Sequence, residues 1–250
     1  MCGICGCTEE NDTHQHESDT NQASHQHTHH DIIRVEHDLL AKNNQFAAAN
    51  RSYFLAKKIT AINLMSSPGS GKTTLLTRTL SELKHQLNMA VIVGDQQTDY
   101  DAEQLKSSGA QALQINTGRV CHLDAHAVGH TVEHLSLQKQ GILFIENVGN
   151  LVCPALFDLG EAHRVVLLSV TEGDNKPLKY PDMFRKADVM ILTKMDLLPY
   201  VAFDVDKSIE YVQRINPSIH VLSLSATSGA GLTSWYEWLQ ASREMAFNGN

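Results

Sequence analysis

Three residues in one short stretch could join two kinds of chemistry. Glu146 ends the apolar run Gly141-Ile142-Leu143-Phe144-Ile145, Gly149 follows it, and Cys153 follows that, in a chain with only five cysteines. A buried strand that delivers an acid and then a glycine begins a loop able to sense phosphate. A thiol on the same loop would put a metal ligand on its moving part. The bland alternative is a core strand followed by a core cysteine, so the reading depends on whether the rest of a nucleotide site is present.

Phosphate chemistry is written upstream. The apolar segment Thr60–Met65 runs into Ser66-Ser67-Pro68-Gly69-Ser70-Gly71-Lys72-Thr73-Thr74 and then into a helical stretch, which is a P-loop in its required context. Backbone N–H groups of Gly69, Ser70, Gly71 and Thr74 are expected around the phosphates, with Lys72 neutralising charge and the Thr73 hydroxyl on Mg²⁺. Ser66 stands where the pattern has its first glycine. Asp95, at the end of the strand Ala90–Val93, and Glu146 are the candidate carboxylates for Mg²⁺ or its waters. Asn150 sits after the switch glycine where a water-orienting glutamine would assist hydrolysis, so slow, regulatory turnover is expected.

The base is read further on. The strand Val189–Leu192 delivers Thr193-Lys194-Met195-Asp196. A carboxylate at Asp196 can accept from both N1–H and the 2-amino group of guanine, whereas adenine offers neither donor there, so GTP is expected over ATP. Ser225-Ala226-Thr227, after the strand His220–Ser223, resembles a loop that covers guanine. Lys194, Ser225 and Ala226 join the expected nucleotide contacts.

Two sets of metal ligands are visible. Met1-Cys2-Gly3-Ile4-Cys5-Gly6-Cys7 supplies three thiols at Cys2, Cys5 and Cys7. Sulfur and amine donors in a flat array suit Ni²⁺, while zinc prefers a tetrahedral cage. The second set is Cys121 and His122, in a loop after the strand near Ala112, with Cys153; both loops should emerge at the carboxyl edge of the sheet, where nucleotides also bind. A core cysteine and a satisfied loop histidine are the alternative there. His126, His130 and His134 recur at helical spacing and are expected as an exposed polar stripe, an extension of the metal face being the other reading.

The elements that must position these residues follow from pattern. Strands near 60–65, 90–93, 112–115, 141–145, 164–169, 188–192 and 220–223 alternate with helical stretches, implying an α/β fold with a mostly parallel sheet covered by helices on both faces. Residues 1–31, with His14, His16, His25, His27, His29 and His30 and almost nothing to bury, are expected to be a disordered, metal-binding leader that either buffers divalent ions or is a solvated tail. A helical connector is expected over 32–58 and a P-loop GTPase domain over 59–250. Net charge is −8 with histidines neutral, which argues against nucleic acid or an anionic membrane as the main partner. No apolar run approaches the ~20 residues of a membrane span, and a cytoplasmic location with reduced thiols is expected.

Taken together, Cys2-x-x-Cys5-x-Cys7, the histidine tract, Ser67–Thr73, Gly94-Asp95-Gln96-Gln97-Thr98, Asn116-Thr117-Gly118 with Cys121-His122, Glu146–Pro154, and Ser169–Asp174 with Lys176–Pro181 resemble the HypB family, GTPases of hydrogenase maturation that help insert nickel. The related urease GTPase family, UreG, is less similar, since its metal loop reads Cys-Pro-His and it lacks the leader trithiol. The resemblance implies a SIMIBI-class P-loop domain that dimerises on GTP, and a nickel site in the leader. It further implies a nickel or zinc site at Cys121, His122 and Cys153 near the dimer interface, with delivery to the nickel–iron hydrogenase large subunit alongside a HypA-type chaperone. The alternative from another class is a nickel-storage protein whose GTPase is secondary.

Overall fold

The computed structural model describes residues 22–96 and 100–248. Seven strands form one sheet: β1 Thr60–Ser66, β2 Met89–Asp95, β3 Gln111–Asn116, β4 Ile142–Glu146, β5 His163–Ser169, β6 Val189–Thr193 and β7 His220–Ser223. Their order is β3-β2-β4-β1-β5-β6-β7, and every neighbouring pair is parallel. Parallel strands need crossovers, and these are supplied by α2 Lys72–Leu83, α3 Tyr100–Ser107, α4 Ala125–Val132, α5 Lys176–Lys179, α6 Pro181–Arg185 and α7 Val205–Ile215. Helix α1 Gln22–Lys57 precedes the sheet and α8 Leu232–Asn248 closes it.

The expected α/β architecture is what is observed, because strands buried on both faces read as continuous apolar runs: β1, β4 and β6 are buried at every position. Helix α2 buries Leu75, Leu76, Thr79, Leu80 and Leu83, a spacing that lays one stripe on the sheet. Trp235 of α8 is fully buried and donates its indole N–H to Thr79 Oγ1 at 3.0 Å, tying the last helix to α2.

Register explains why acids far apart in sequence meet. β4 lies between β1 and β2, with Glu146 paired to Leu64 on one side and to Val93 on the other. The P-loop after β1, the carboxylate ending β4 and Asp95 ending β2 therefore share one edge, at the point where strand order reverses.

The amino-terminal boundary differs from expectation. The backbone is already helical at Gln22, inside the tract expected to lack structure, and stays helical to Lys57. No proline or glycine interrupts residues 22–57, so nothing stops a helix anchored at its far end from extending. Cys2, Cys5, Cys7, His14 and His16 lie outside the described residues.

Candidate functional site

Local sequence shapes the phosphate edge. Gly69 and Gly71 have φ of 72° and 97°, in the left-handed region that favours glycine, and Gly71 caps α2. Lys72 is buried and its Nζ donates to Ser66 Oγ at 2.8 Å, so the serine in place of the first glycine holds the lysine. Burial lowers the Lys72 pKa, with Glu146, Asp101 and Glu172 pulling the other way. A buried ammonium held by one neutral hydroxyl suits an anionic phosphate.

Thr73 Oγ1 donates to Glu146 Oε1 at 2.7 Å, while Glu146 Oε2 is buried without a hydrogen-bond partner. An orphaned carboxylate oxygen beside a P-loop threonine fits Mg²⁺ or its water. Burial raises the Glu146 pKa to about 7; Lys72 and Thr73 oppose the shift, and Asp101 and Asp95 add to it. Asp95 is half-buried, and its Oδ1 accepts the Gln96 N–H at 2.6 Å.

The segments expected to read the base converge on the same helix end. A cavity of about 110 Å³ is lined by Ser70, Gly71 and Thr74 of the P-loop, by Lys194 and Asp196, and by Ala226, among others. Lys194 Nζ donates to the Gly69 carbonyl at 2.7 Å, and Thr193 Oγ1 donates to the Ser70 carbonyl at 2.7 Å. Thr193 thus ties the end of β6 to the P-loop. Asp196 is exposed at the mouth. Ser225 does not line this cavity: it is buried, its hydroxyl accepts the Ser228 N–H at 3.0 Å, and it shapes the loop that presents Ala226 and Thr227.

The second metal set is also brought together. One ligand atom each from Cys121, His122 and Cys153 lie within 4.8 Å of one another. Cys121 Sγ is 2.7 Å from Cys153 Sγ, well beyond the bond length of about 2.05 Å in a disulfide. His122 Nδ1 lies 3.9 Å from Cys121 Sγ, and its ring stacks on Phe157 with centroids 3.8 Å apart. Burial lowers the His122 pKa, which keeps the imidazole neutral and its lone pair available to a metal.

Helix α1 builds the frame of that cluster. Asn43 Oδ1 accepts the Ala125 N–H at 2.9 Å and its amide donates to the Asp158 carbonyl at 2.8 Å. Asn50 donates to the Ala125 and Leu159 carbonyls at 2.7 and 3.0 Å. Both metal loops are clamped to one helix outside the sheet. From the other side, the buried Glu161 pairs with the half-buried Arg164 at 2.6 Å, and Arg164 reaches the Ala155 and Phe157 carbonyls at 3.4 Å.

The phosphate and thiol clusters are ends of one segment. Gly149 sits so close to the P-loop that a Cβ there would lie 2.9 Å from Pro68 Cα, and the chain enters a 3-10 turn at Cys153 soon after. Asn147, buried between them, accepts from Leu123 N–H at 3.1 Å and Val148 N–H at 3.0 Å, and donates to Asn63 Oδ1 at 3.3 Å. Asn150 spends its side chain inside the loop, Oδ1 accepting Val152 N–H at 2.7 Å. Nothing in the sequence pattern singles out Asn147, Asn43 or Asn50. An asparagine in an apolar surrounding is a weak signal until its partners are known.

Comparison with known proteins agrees with this geometry. Residues 60–223 match the family model described as CobW/HypB/UreG, nucleotide-binding domain. The hydrogenase maturation factor HypB of Azotobacter vinelandii is 56% identical over 212 residues, covering 85% of this chain and 70% of that protein. HypB of Escherichia coli K12 is 55% identical over 212 residues, covering 85% and 73%. Among solved structures, HypB from Helicobacter pylori in complex with nickel has a TM-score of 0.78 at 40% identity, covering 81% of this chain and 95% of that one. HypB from Archaeoglobus fulgidus gives 0.76 at 37% identity, covering 81% and 99%. With matches of this extent over both the P-loop and the Cys121–Cys153 regions, the chain belongs to the HypB family of hydrogenase maturation factors.

Proposed function

We propose that this protein is a GTP-hydrolysing nickel metallochaperone that delivers nickel during maturation of nickel–iron hydrogenase, its metal affinity set by the nucleotide state. The observation that carries this reading is the continuity of residues 146–153: one end is hydrogen-bonded to Thr73 and packed on Pro68, and the other brings Cys153 to Cys121. Lys72 and the P-loop N–H groups hold the β- and γ-phosphates, and Asp196 with Lys194 and Ala226 holds guanine. Thr73, with Glu146 or Asp95, would hold Mg²⁺, which when bound neutralises charge on the transferred phosphoryl group.

Cargo and switch are mechanically linked in this reading. Loading would fix the Cys121 and Cys153 thiolates on one ion, and Cys153 lies on the loop that returns to the P-loop at Gly149 and Pro68. By linkage, the γ-phosphate state must alter metal affinity by the factor with which metal alters nucleotide affinity, typically ~5- to 150-fold. Nickel is the cargo supported by the nickel-bound relative; zinc is the alternative ion at this site. GTP- and metal-dependent homodimerisation, a HypA-type partner, the hydrogenase large subunit as acceptor and a cytoplasmic location complete the reading. No described helix is long and apolar enough to cross a membrane.

Titration of nickel and zinc into the protein with GDP or a non-hydrolysable GTP analogue, beside turnover of GTP and ATP, tests it. GTP-selective hydrolysis and unequal metal affinities in the two nucleotide forms are expected. Equal affinities and equal dimer constants would make Cys153 a static residue and sink the switch.

A further inference from the structure

Glu161 is a buried acid outside both the phosphate edge and the thiol cluster. Its Oε1 accepts from Arg164 Nε at 2.6 Å and from Asn63 Nδ2 at 3.3 Å, and its Oε2 accepts the Leu159 N–H at 2.6 Å. Asn63 is the polar residue inside the otherwise apolar run Ala61–Met65 of β1, the strand that opens into the P-loop. For packing alone an apolar side chain would serve there, and burying an amide is costly unless its groups are hydrogen-bonded.

Both ends of that amide are used. Asn63 Oδ1 accepts from Asn147 Nδ2 at 3.3 Å, and Asn147 Oδ1 accepts the Leu123 N–H at 3.1 Å and the Val148 N–H at 3.0 Å. All three side chains are buried. A carboxylate paired with an arginine only accepts and a backbone N–H only donates, so the two ends of the chain fix the direction of every bond between them. Asn63 turns its NH₂ to Glu161 and its carbonyl to Asn147, which leaves the Asn147 carbonyl for Leu123 and Val148. Leu123 follows His122, and Val148 lies between Glu146 and Cys153. The Asn147 N–H donates to the Leu64 carbonyl at 3.0 Å, so the backbone of this link is itself anchored on β1.

We propose that Asn63 and Glu161 are positioning residues for the metal cluster: by orienting the Asn147 amide they hold the His122 loop and the 146–153 segment on one shared acceptor. This assignment rests on the metal role proposed for Cys121, His122 and Cys153. Its direction makes it testable. In Glu161→Gln the new amide has a single carbonyl for donors on two sides. With that carbonyl on the Leu159 N–H, its NH₂ faces Asn63. Asn63 then turns over, Asn147 follows, and the Leu123 and Val148 N–H groups meet an NH₂ in place of an acceptor. Asn147→Asp in the same chain returns an acceptor to those two N–H groups and accepts from the turned Asn63. Arg164 loses its carboxylate with or without the second change, so that cost is common to both variants.

The test uses the nucleotide-free full chain carrying Cys2→Ala, Cys5→Ala and Cys7→Ala, so that the leader thiols are silent. Amide hydrogen exchange at Leu123 and Val148 is read without metal, and affinity for nickel(II) chloride is read from the thiolate-to-nickel absorption band. Glu161→Gln should speed exchange at both amides about 5- to 10-fold relative to the amides of β1, the scale of one hydrogen bond. It should weaken nickel binding about 10-fold, the lower end of the effect of groups that orient metal ligands. Adding Asn147→Asp should recover most of both losses, while Asn147→Asp alone should improve neither. Unchanged exchange at Leu123 and Val148 in Glu161→Gln, or no recovery on adding Asn147→Asp, would reduce Glu161 to the counter-charge of Arg164 and overturn the proposal. A gain of equal size from Asn147→Asp alone would overturn it too. Should the Glu161 variants misfold, Asn63→Leu cuts the chain at its middle and leaves Glu161 paired with Arg164; both amides must again exchange faster, and unchanged rates defeat the assignment. If the parent protein shows no thiolate-to-nickel band, the metal reading of the cluster fails, while the exchange data still decide whether Glu161 orients Asn147.

Discussion

The phosphate edge and the thiol cluster lie on the same rim of the sheet but are assembled in opposite ways. The phosphate edge is contiguous: strand, loop and helix from Thr60 to Leu83 supply its backbone donors, its lysine and its threonine in sequence order. The thiol cluster is assembled from two loops, and those loops are fixed by Asn43 and Asn50 of a helix that enters the chain before either. A contiguous site survives as long as its own segment folds. A composite one depends on every element that frames it.

The contrast can be broken from either side, and Lys72→Ala should do so most severely. Loss of the buried ammonium should cut GTP turnover by about 10²- to 10³-fold, the scale for one charge-stabilising donor, while nickel binding at Cys121, His122 and Cys153 is nearly unchanged. Phosphate release and metal titration on one preparation would show it, and a matching collapse of metal affinity would mean the sites are not separate structures. Asp196→Asn should then exchange base preference, lowering GTP use about 100-fold and raising xanthosine triphosphate use, since an acceptor becomes a donor. Competition kinetics with both nucleotides measure this.

Two smaller effects probe the link. Gly149→Ala places a methyl against Pro68 backbone and should shift the whole 146–153 segment, lowering turnover and changing metal affinity together, each by about 10-fold. Asn147→Ala leaves the Leu123 N–H without its buried acceptor and should cost about 1–3 kcal/mol of stability. The more telling readout is metal affinity in the GDP and GTP-analogue forms, whose difference should shrink. If Asn147→Ala keeps the full difference, the coupling runs through Cys153 alone.

The smallest expected signal is a pH slope. The Glu146 pKa is raised from 4.5 to about 7 by burial. Below 4.5 folded and unfolded chains both hold the proton. Between 4.5 and 7 only the folded chain keeps it, so stability falls as pH rises through this window, and above 7 the cost is fully present. The shift, in which Lys72 already offsets part of the burial, corresponds to at most on the order of 3 kcal/mol. Thermal melts of nucleotide-free protein from pH 4.5 to 8 should show the decline, and Glu146→Gln should flatten it; an unchanged slope in that variant would assign it to other groups.

Much of this is legible in the residues. The P-loop can be read because its chemistry is local, and the central strands because burial on both faces forces long apolar runs. The segments expected to meet the base stand out in the sequence as Thr193–Asp196 and Ser225–Thr227, whereas the bond from the Ser228 N–H to the Ser225 hydroxyl is a partner choice that no spacing encodes. The start of α1 is not legible because polar, histidine-rich composition argues for disorder, whereas an uninterrupted helix needs only an anchored end and no breaker.

The sequence by itself determined the phosphate loop, the alternation of strands and helices, the parallel sheet and the acid at the end of β4, since each follows from short-range geometry and the burial pattern of single segments. Only the tertiary structure decided that Cys153 meets Cys121 and His122, that Asn147 joins the two loops, and that His126 stands 3.2 Å from His130 with Phe46 behind it. Those contacts depend on strand order and on the seat of α1 against α4. Both are set by the summed packing of distant elements, which no local pattern records.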